Sequence, residues 1–211
     1  MTVSIAFSYS SGGYLYFFSN RLTILRIDAR AVSFCCQSIV RFLRNISVSS
    51  RVILNFRRAF KEAGFHISGV CIWVKNSLVL GRSPYQWQHE PVLFGWMPNG
   101  KHRWFSDRKQ TTIWNFDKPK HSKEHPTMKP IPLLAYPIKN SSAPNGVVMD
   151  LFGGSGSTLM ACEQTDRICR TMELDPRYAS VIVQRYVDSV GADGVKVLRD
   201  GCELTYSEVT A

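Results

Sequence analysis

The sequence contains no Pro-Pro dipeptide, no Cys-x-x-Cys pair and no lysine close behind its glycine-rich turn. It is also short of acids, with 16 Asp and Glu against 26 Lys and Arg. Each shortage excludes something. Six cysteines, Cys35, Cys36, Cys71, Cys162, Cys169 and Cys202, are scattered, and the five histidines are not spaced as zinc ligands. The pattern therefore suggests neither a metal site nor a disulfide framework, and the cysteines read as reduced core thiols of a cytoplasmic protein. No apolar run reaches membrane-spanning length, so no membrane partner is expected. The N-terminus lacks a basic start followed by an apolar core, which argues against a signal peptide. The deficit of acid leaves a formal charge of +10 and a pI near 9.5. That balance points to a polyanionic partner, nucleic acid first, although a ribosome-associated or merely soluble basic domain has the same balance. With 211 residues, 45% of them apolar, the chain is long enough for one domain with a real core.

The most informative stretch runs from Val147 to Tyr178. Val147 to Phe152 has the length and β-branched start of a buried strand. A turn follows with Gly153, Gly154 and Gly156, then a helix over Ser155 to Gln164, then a second strand over Ile168 to Leu174. Acids stand at its end, Glu173 and Asp175. Strand, glycine turn, helix, strand and acid form the βαβ layout that binds a nucleotide-like ligand. Glycines let the backbone approach a ligand closely, and a terminal carboxylate accepts hydrogen bonds from ribose hydroxyls. A βαβ unit whose glycines only punctuate a helix is the competing reading. A dinucleotide fingerprint starting at Gly154 needs glycine where Leu159 stands, and a P-loop needs a lysine after Gly156. Hydride transfer and nucleoside triphosphate hydrolysis fall. S-adenosylmethionine, with ribose and adenine but no phosphate, remains.

Elsewhere the chain changes character near residue 51. Residues 1–50 are rich in serine and hold five arginines but one acid, Asp28. Tyr14 to Phe18 suits a buried strand behind Gly12 and Gly13, and Ile39 to Leu43 suits part of a helix. Asn55 is a candidate cap for a helix over Phe56 to Ala63, stopped by Gly64. Strands are expected over Ile67 to Val74 and within His89 to Trp96. Between about 77 and 123, Arg82, Lys101, His102, Arg103, Arg108 and Lys109 interleave with Tyr85, Trp87, Trp104, Phe105 and Trp114. Basic residues contact phosphates and aromatics stack on bases, so this is a candidate DNA-recognition region; a loop-rich surface with buried aromatics is the alternative. Thr127 can cap a helix starting near Pro130, and Pro137 should kink or end it. Pro176 starts a helix over Arg177 to Val190, closed by Gly191 and Gly194; Val195 to Leu198 is one more strand and 201–211 a frayed tail.

Several of these blocks together resemble the amino-methylating DNA methyltransferases, adenine-N6 or cytosine-N4 specific. The likeness is nearest to the permuted bacterial and phage group, whose catalytic half precedes the cofactor half. The blocks are LNFRRAFKEAGF at 54–65, IWVKN at 72–76, HEPVLFGW at 89–96, EHPTMKP at 124–130, and DLFGGSGST with TMELDPRY within 150–178. The likeness covers residues 54 to about 190. It implies an α/β fold: a Rossmann-like S-adenosylmethionine-dependent methyltransferase sheet with helices on both faces, incomplete at the N-terminus. It implies that the loop of Asp150, Phe152, Gly153, Gly154, Gly156, Ser157 and Thr158 wraps the methionine part of S-adenosylmethionine. Asp150 would face its charged end and Phe152 the adenosine. Glu173, with Asp175 beside it, takes the ribose hydroxyls, and His125 to Pro130 closes over the methionine moiety through Thr127 and Lys129. The implied partner is double-stranded DNA, contacted by Arg82, Lys101, Arg103, Arg108 and Lys109, as in restriction-modification systems.

One element of the family pattern is not found. Its catalytic tetrapeptide, an Asp, Asn or Ser followed by two prolines and an aromatic, should precede residue 54. Ser83-Pro84-Tyr85 has one proline and sits inside the recognition region. The catalytic residues are therefore unknown. The expected organisation is an atypical segment 1–50, truncated or frame-disrupted, then a methyltransferase domain 51–200 and a tail. Three functions follow: a DNA amino-methyltransferase acting on adenine or cytosine, a non-catalytic remnant or half that needs a second chain for the missing segment, and an RNA methyltransferase on the same fold.

Overall fold

The computed structural model describes residues 4–5, 7–8, 14–19, 22–24, 45–47, 53–100, 103–118, 128–199 and 202–210. Their elements, in order, begin with short strands: β1 Ser4–Ile5, β2 Phe7–Ser8, β3 Tyr14–Ser19, β4 Leu22–Ile24 and β5 Asn45–Ser47. Helix α1, Ile53–Glu62, precedes the long strands β6, His66–Val79, and β7, Trp87–Trp96, and the short β8, Ile113–Asn115. Helix α2, Ile131–Ser141, leads into β9, Val147–Asp150, α3, Ser157–Glu163, and β10, Ile168–Thr171. Helix α4, Pro176–Val190, strands β11, Lys196–Arg199, and β12, Cys202–Thr205, and helix α5, Tyr206–Thr210, complete the set.

The strands form two sheets. The first runs β12-β11-β3-β1-β4-β10-β9, with β2 beside β3. Its β1, β4, β10 and β9 are parallel neighbours, and β3, β11 and β12 pair antiparallel. The second runs β5-β7-β6-β8, antiparallel except for the parallel β6–β8 pair.

Alternation along β6 and β7 explains how helices cover both faces of the second sheet. Cys71, Trp73 and Val92 point to one side and pack with Trp114 and with Leu133 and Tyr136 of α2. Leu93 and Val70 point to the other and pack with Phe60 of α1 and Phe65. The main core joins Ile138 of α2 to Leu159, Met160 and Cys162 of α3, Cys169 of β10, and Ile182, Val183 and Tyr186 of α4. Helix α2 thus serves both cores, with Leu133 in one and Ile138 in the other.

Several expectations from the sequence need correction. Helix α1 begins at Ile53, so Asn55 lies inside it, while Gly64 at φ +86° does end the turn that follows. Helix α2 runs through Pro137 to Ser141 rather than ending early, and its N-cap is Pro130, with no side-chain cap. Within the expected tail, residues 202–210 form a strand and a short helix: Val197 pairs with Leu204, and Tyr206 and Val209 pack on the main core. Strands before residue 50 pair with strands after it: β4 with β10, β3 with β11, and β5 with β7. A shift in composition carries no information about which strands pair. Tyr14 to Phe18 lies within β3, whereas the helix expected at Ile39 to Leu43 lies outside the described residues.

Candidate cofactor cleft

Strands β9 and β10 pair in parallel with Asp150 opposite Thr171, so both strands end at one level. Ligands of open α/β sheets bind beyond the carboxyl ends of the strands, and here that place is lined by the glycine loop. Met172 donates its N–H to the Asp150 carbonyl at 2.8 Å, and Gly153 donates to the Met172 carbonyl at 2.7 Å, so the loop folds back over the end of β10. A Cβ on Gly153 would stand 2.7 Å from the Thr171 hydroxyl and 2.8 Å from Ile182 Cδ1, so only glycine fits. Gly156 is the N-cap of α3 at φ +75°, a left-handed conformation that suits glycine.

The acids meet this loop. Glu173 accepts the Gly154 N–H on Oε2 at 2.7 Å and the Asp175 N–H on Oε1 at 3.0 Å. Each carboxylate oxygen has a second lone pair, so Glu173 retains acceptor capacity for two more donors. Asp150 accepts the Phe152 N–H at 3.0 Å and a hydrogen bond from the Thr158 side chain. Burial pushes its carboxyl above the ordinary value; those two hydrogen bonds pull it down, the Glu173 charge pushes it up, and the net shift is upward. The Asp175 carboxylate accepts the Arg177 N–H at 2.8 Å and caps α4. Ser157 is buried, with its hydroxyl 3.1 Å from that of Ser155.

These residues line a mainly apolar cleft of about 1680 Å³. All of β9 borders it, as do Phe152 to Ser155, Glu173 to Tyr178, and Pro137 and Ile138 of α2. Phe152 is 85% exposed, an aromatic face offered to a ligand. Two further walls were not foreseen from sequence: the α1 side with Phe56, Ala59, Phe60, Ala63 and Phe65, and the segment with Arg103 and Phe105. The Phe105 N–H donates to the Asn140 carbonyl at 2.9 Å, which fixes that segment on the end of α2. In the sequence, Phe56, Ala59 and Phe60 stand at helical spacing, which is the signal that points to the α1 wall.

Lys129 also lines the cleft, but its ammonium binds Glu90 Oε2 at 2.7 Å. Arg185 of α4, not singled out for function from sequence, donates to the Ser155 carbonyl at 2.9 Å and contacts Met128 Sδ at 3.4 Å. Of the residues expected to contact DNA, Arg82 is exposed in the β6–β7 turn and Arg108 and Lys109 are exposed in the loop before β8. Arg103 belongs to the cleft wall. Ser83-Pro84-Tyr85 occupies the β6–β7 turn, with Tyr85 90% exposed, and is not part of the cleft lining. Thr127, His125 and Lys101 lie outside the described residues. Burial raises the Cys71 thiol to about 11, and a hydrogen bond shared with Cys162, then burial, raise Cys169 well above its ordinary value. Both are protonated and inert at neutral pH. Cys202, expected to be buried, is exposed, and Cys35 and Cys36 lie outside the described residues.

A Rossmann-like sheet flanked by helices, a glycine loop without phosphate-binding residues and an acid ending the second strand define a nucleoside-binding α/β class. The family model N6_N4_Mtase, described as DNA methylase, matches residues 12–184, and the chain belongs to that family. It is 31% identical over 146 residues to YubD of Escherichia coli (strain K12), named as a methylase, covering 62% of this chain and 55% of that protein. It spans smaller shares of the other curated relatives, such as 27% of the type II methyltransferase M.SmaI of Serratia marcescens. The solved M1.HpyAVI–SAM complex superposes with a TM-score of 0.59 at 25% identity, over 67% of this chain and 72% of that one. The PvuII DNA methyltransferase, cytosine-N4-specific, shares the fold at a TM-score of 0.53 and 21% identity, over 65% and 58% of the two chains.

Proposed function

We propose that the chain binds S-adenosylmethionine in the cleft and belongs to an enzyme that methylates an exocyclic amino group of DNA, adenine first, with cytosine as the alternative acceptor. The observation that carries this reading is the cleft at the ends of β9 and β10, where Glu173 keeps free acceptor capacity beside three glycines. S-adenosylmethionine supplies a methyl group on a sulfonium, open to direct attack by an amino nitrogen.

The residues fit such a ligand. Glu173 takes the ribose hydroxyls. Asp150, with its carboxyl held above the ordinary range by burial, gains most from a cation placed beside it. Phe152 stacks on adenine. Typical small-molecule sites occupy about 300–1,000 Å³, so a cleft of about 1680 Å³ leaves room for a second group, such as an extruded base, against Phe56 and Phe105. Direct transfer needs no covalent enzyme intermediate, which agrees with buried, protonated cysteines. Arg82, Arg108, Lys109 and, by sequence, Lys101 contact phosphates, while Arg103 acts from the cleft wall.

A second reading rests on one observation, the absence of a Pro-Pro-aromatic peptide anywhere in the sequence. In that reading the chain holds cofactor and DNA, and a second chain supplies the residues that receive the target amino group. Incubation with S-adenosylmethionine labelled in the methyl group and mixed-sequence duplex DNA separates the two. Label in DNA supports a complete enzyme. Cofactor binding without label in DNA supports the second reading, and label in RNA alone overturns both.

A further inference from the structure

A charged cluster outside the glycine loop joins the second sheet to the cleft. Glu90 of β7 accepts from Lys75 of β6 on Oε1 at 2.7 Å and from Lys129 on Oε2 at 2.7 Å. Both ammoniums stand over the Trp73 ring, 5.2 and 5.4 Å from its centroid. Trp73 is 1% exposed and Lys75 8%, so this is not a solvent-screened surface pair. The Trp73 indole N–H donates to the Phe116 carbonyl at 2.7 Å, and Gln88 donates to the Lys75 carbonyl at 3.1 Å. The ring and the Lys75 backbone are thereby fixed. Burial pushes the Glu90 carboxyl up, but Lys129 and Lys75 outweigh it and hold it below the ordinary value, so it stays charged.

Two charges of one sign around a single carboxylate are more than a neutral pair needs. The buried pair Lys75–Glu90 is satisfied by itself, and the third member, Lys129, comes from outside the sheet. Lys129, which lines the cleft, belongs to the segment 128–130, which enters α2. That segment has a second anchor one residue earlier, where Arg185 spans Met128 and the Ser155 carbonyl of the glycine loop.

The geometry points to Glu90 as a positioning residue: it clamps the 128–130 segment, whose Lys129 lines the cleft, to the β6–β7 sheet, so that cofactor affinity depends on a carboxylate of β7. This rests on reading the cleft as the S-adenosylmethionine site. The clamp acts through Lys129, and Glu90 itself does not touch the ligand.

The test reads the clamp and the cofactor separately. Hydrogen exchange is measured on the full chain for the five amides of 128–134, Pro130 and Pro132 having none, and, as a folding control, for those of α4. Isothermal titration gives the S-adenosylmethionine affinity. Glu90→Gln leaves Lys75 buried without its counter-charge and risks the fold, so Lys129→Gln, which keeps the buried pair, is measured beside it. Loss of a charge-assisted bond should speed exchange at 128–134 roughly tenfold or more in both variants while α4 is unchanged. Affinity should fall by a similar factor. Lys129→Arg, which keeps the charge facing Glu90 and leaves the Lys75–Glu90 pair intact, should retain most of both, which a merely space-filling role does not predict. Unchanged exchange at 128–134 in a folded Lys129→Gln variant overturns the clamp. If the unaltered chain binds no S-adenosylmethionine while exchange responds as expected, the clamp stands and the cofactor reading fails.

Discussion

Among single residues, Asp150 carries the clearest pH signature. Its folded-state carboxyl lies above the ordinary value, mainly through burial, so the folded chain holds that proton to higher pH than the unfolded chain does. The favourable contribution is present at acid pH and is lost as pH rises through the folded value. Asp150→Asn should therefore melt above the unaltered chain at neutral pH, with the gap closing on acidification. The same variant should bind S-adenosylmethionine more weakly, because a cation beside Asp150 stabilises the carboxylate. Thermal melting from neutral to acid pH and titration of the ligand check the two signs. Asp150, Gly153, Gly156 and Glu173 were legible in the sequence because a βαβ turn and its acid are local, within two dozen residues. Glu90 with Lys129 and Arg185 with Met128 were not. They are 39 and 57 residues apart, and no local pattern encodes such pairs.

The elements show the same division between local and distant information. Helix α4 was legible because Pro176 occupies its first turn and Ile182 and Tyr186 sit at helical spacing on the core face. Its cap is Asp175, a residue also read as a ligand contact. Asp175→Ala should cost about 1 kcal/mol through loss of the cap, whereas Asp175→Asn keeps a capping oxygen and should cost only a few tenths. Denaturant melts of both variants measure the cap. If Asp175→Asn, which keeps the cap, still weakens S-adenosylmethionine binding, the carboxylate has a ligand role besides the cap. Strands β6 and β7 were seen only in part, as alternation stops being informative where Lys75 is buried by an ion pair and Leu78 and Val79 are exposed. The C-terminal strand was missed because Glu203 and Thr205 face outwards and its pairing with β11 is a tertiary fact.

At the scale of the whole molecule, 10 net positive charges and an apolar cleft at the end of a parallel β pair belong to one account. Exposed Arg82, Arg108 and Lys109 should act as phosphate contacts. DNA binding should then weaken steeply with salt, and each change to alanine should lower the salt slope by about 1 with little change in sequence preference. A slope unchanged in all three variants would remove the β6–β7 turn and the loop before β8 from the interface. The fold class was legible from Val147 to Tyr178 and the blocks upstream, but the way strands from residues 4–47 enter both sheets was not, since short strands acquire identity from their neighbours. The central claim is that the glycine loop and Glu173 form an S-adenosylmethionine site. Isothermal titration of S-adenosylmethionine into the purified chain and into Glu173→Ala, each shown to be folded by its melting curve, tests it most directly. The account predicts saturable one-site binding by the unaltered chain and a loss of roughly tenfold or more in the variant, the value of hydrogen bonds to a charged acceptor. No heat from a folded unaltered chain, or equal affinity in Glu173→Ala, would contradict it.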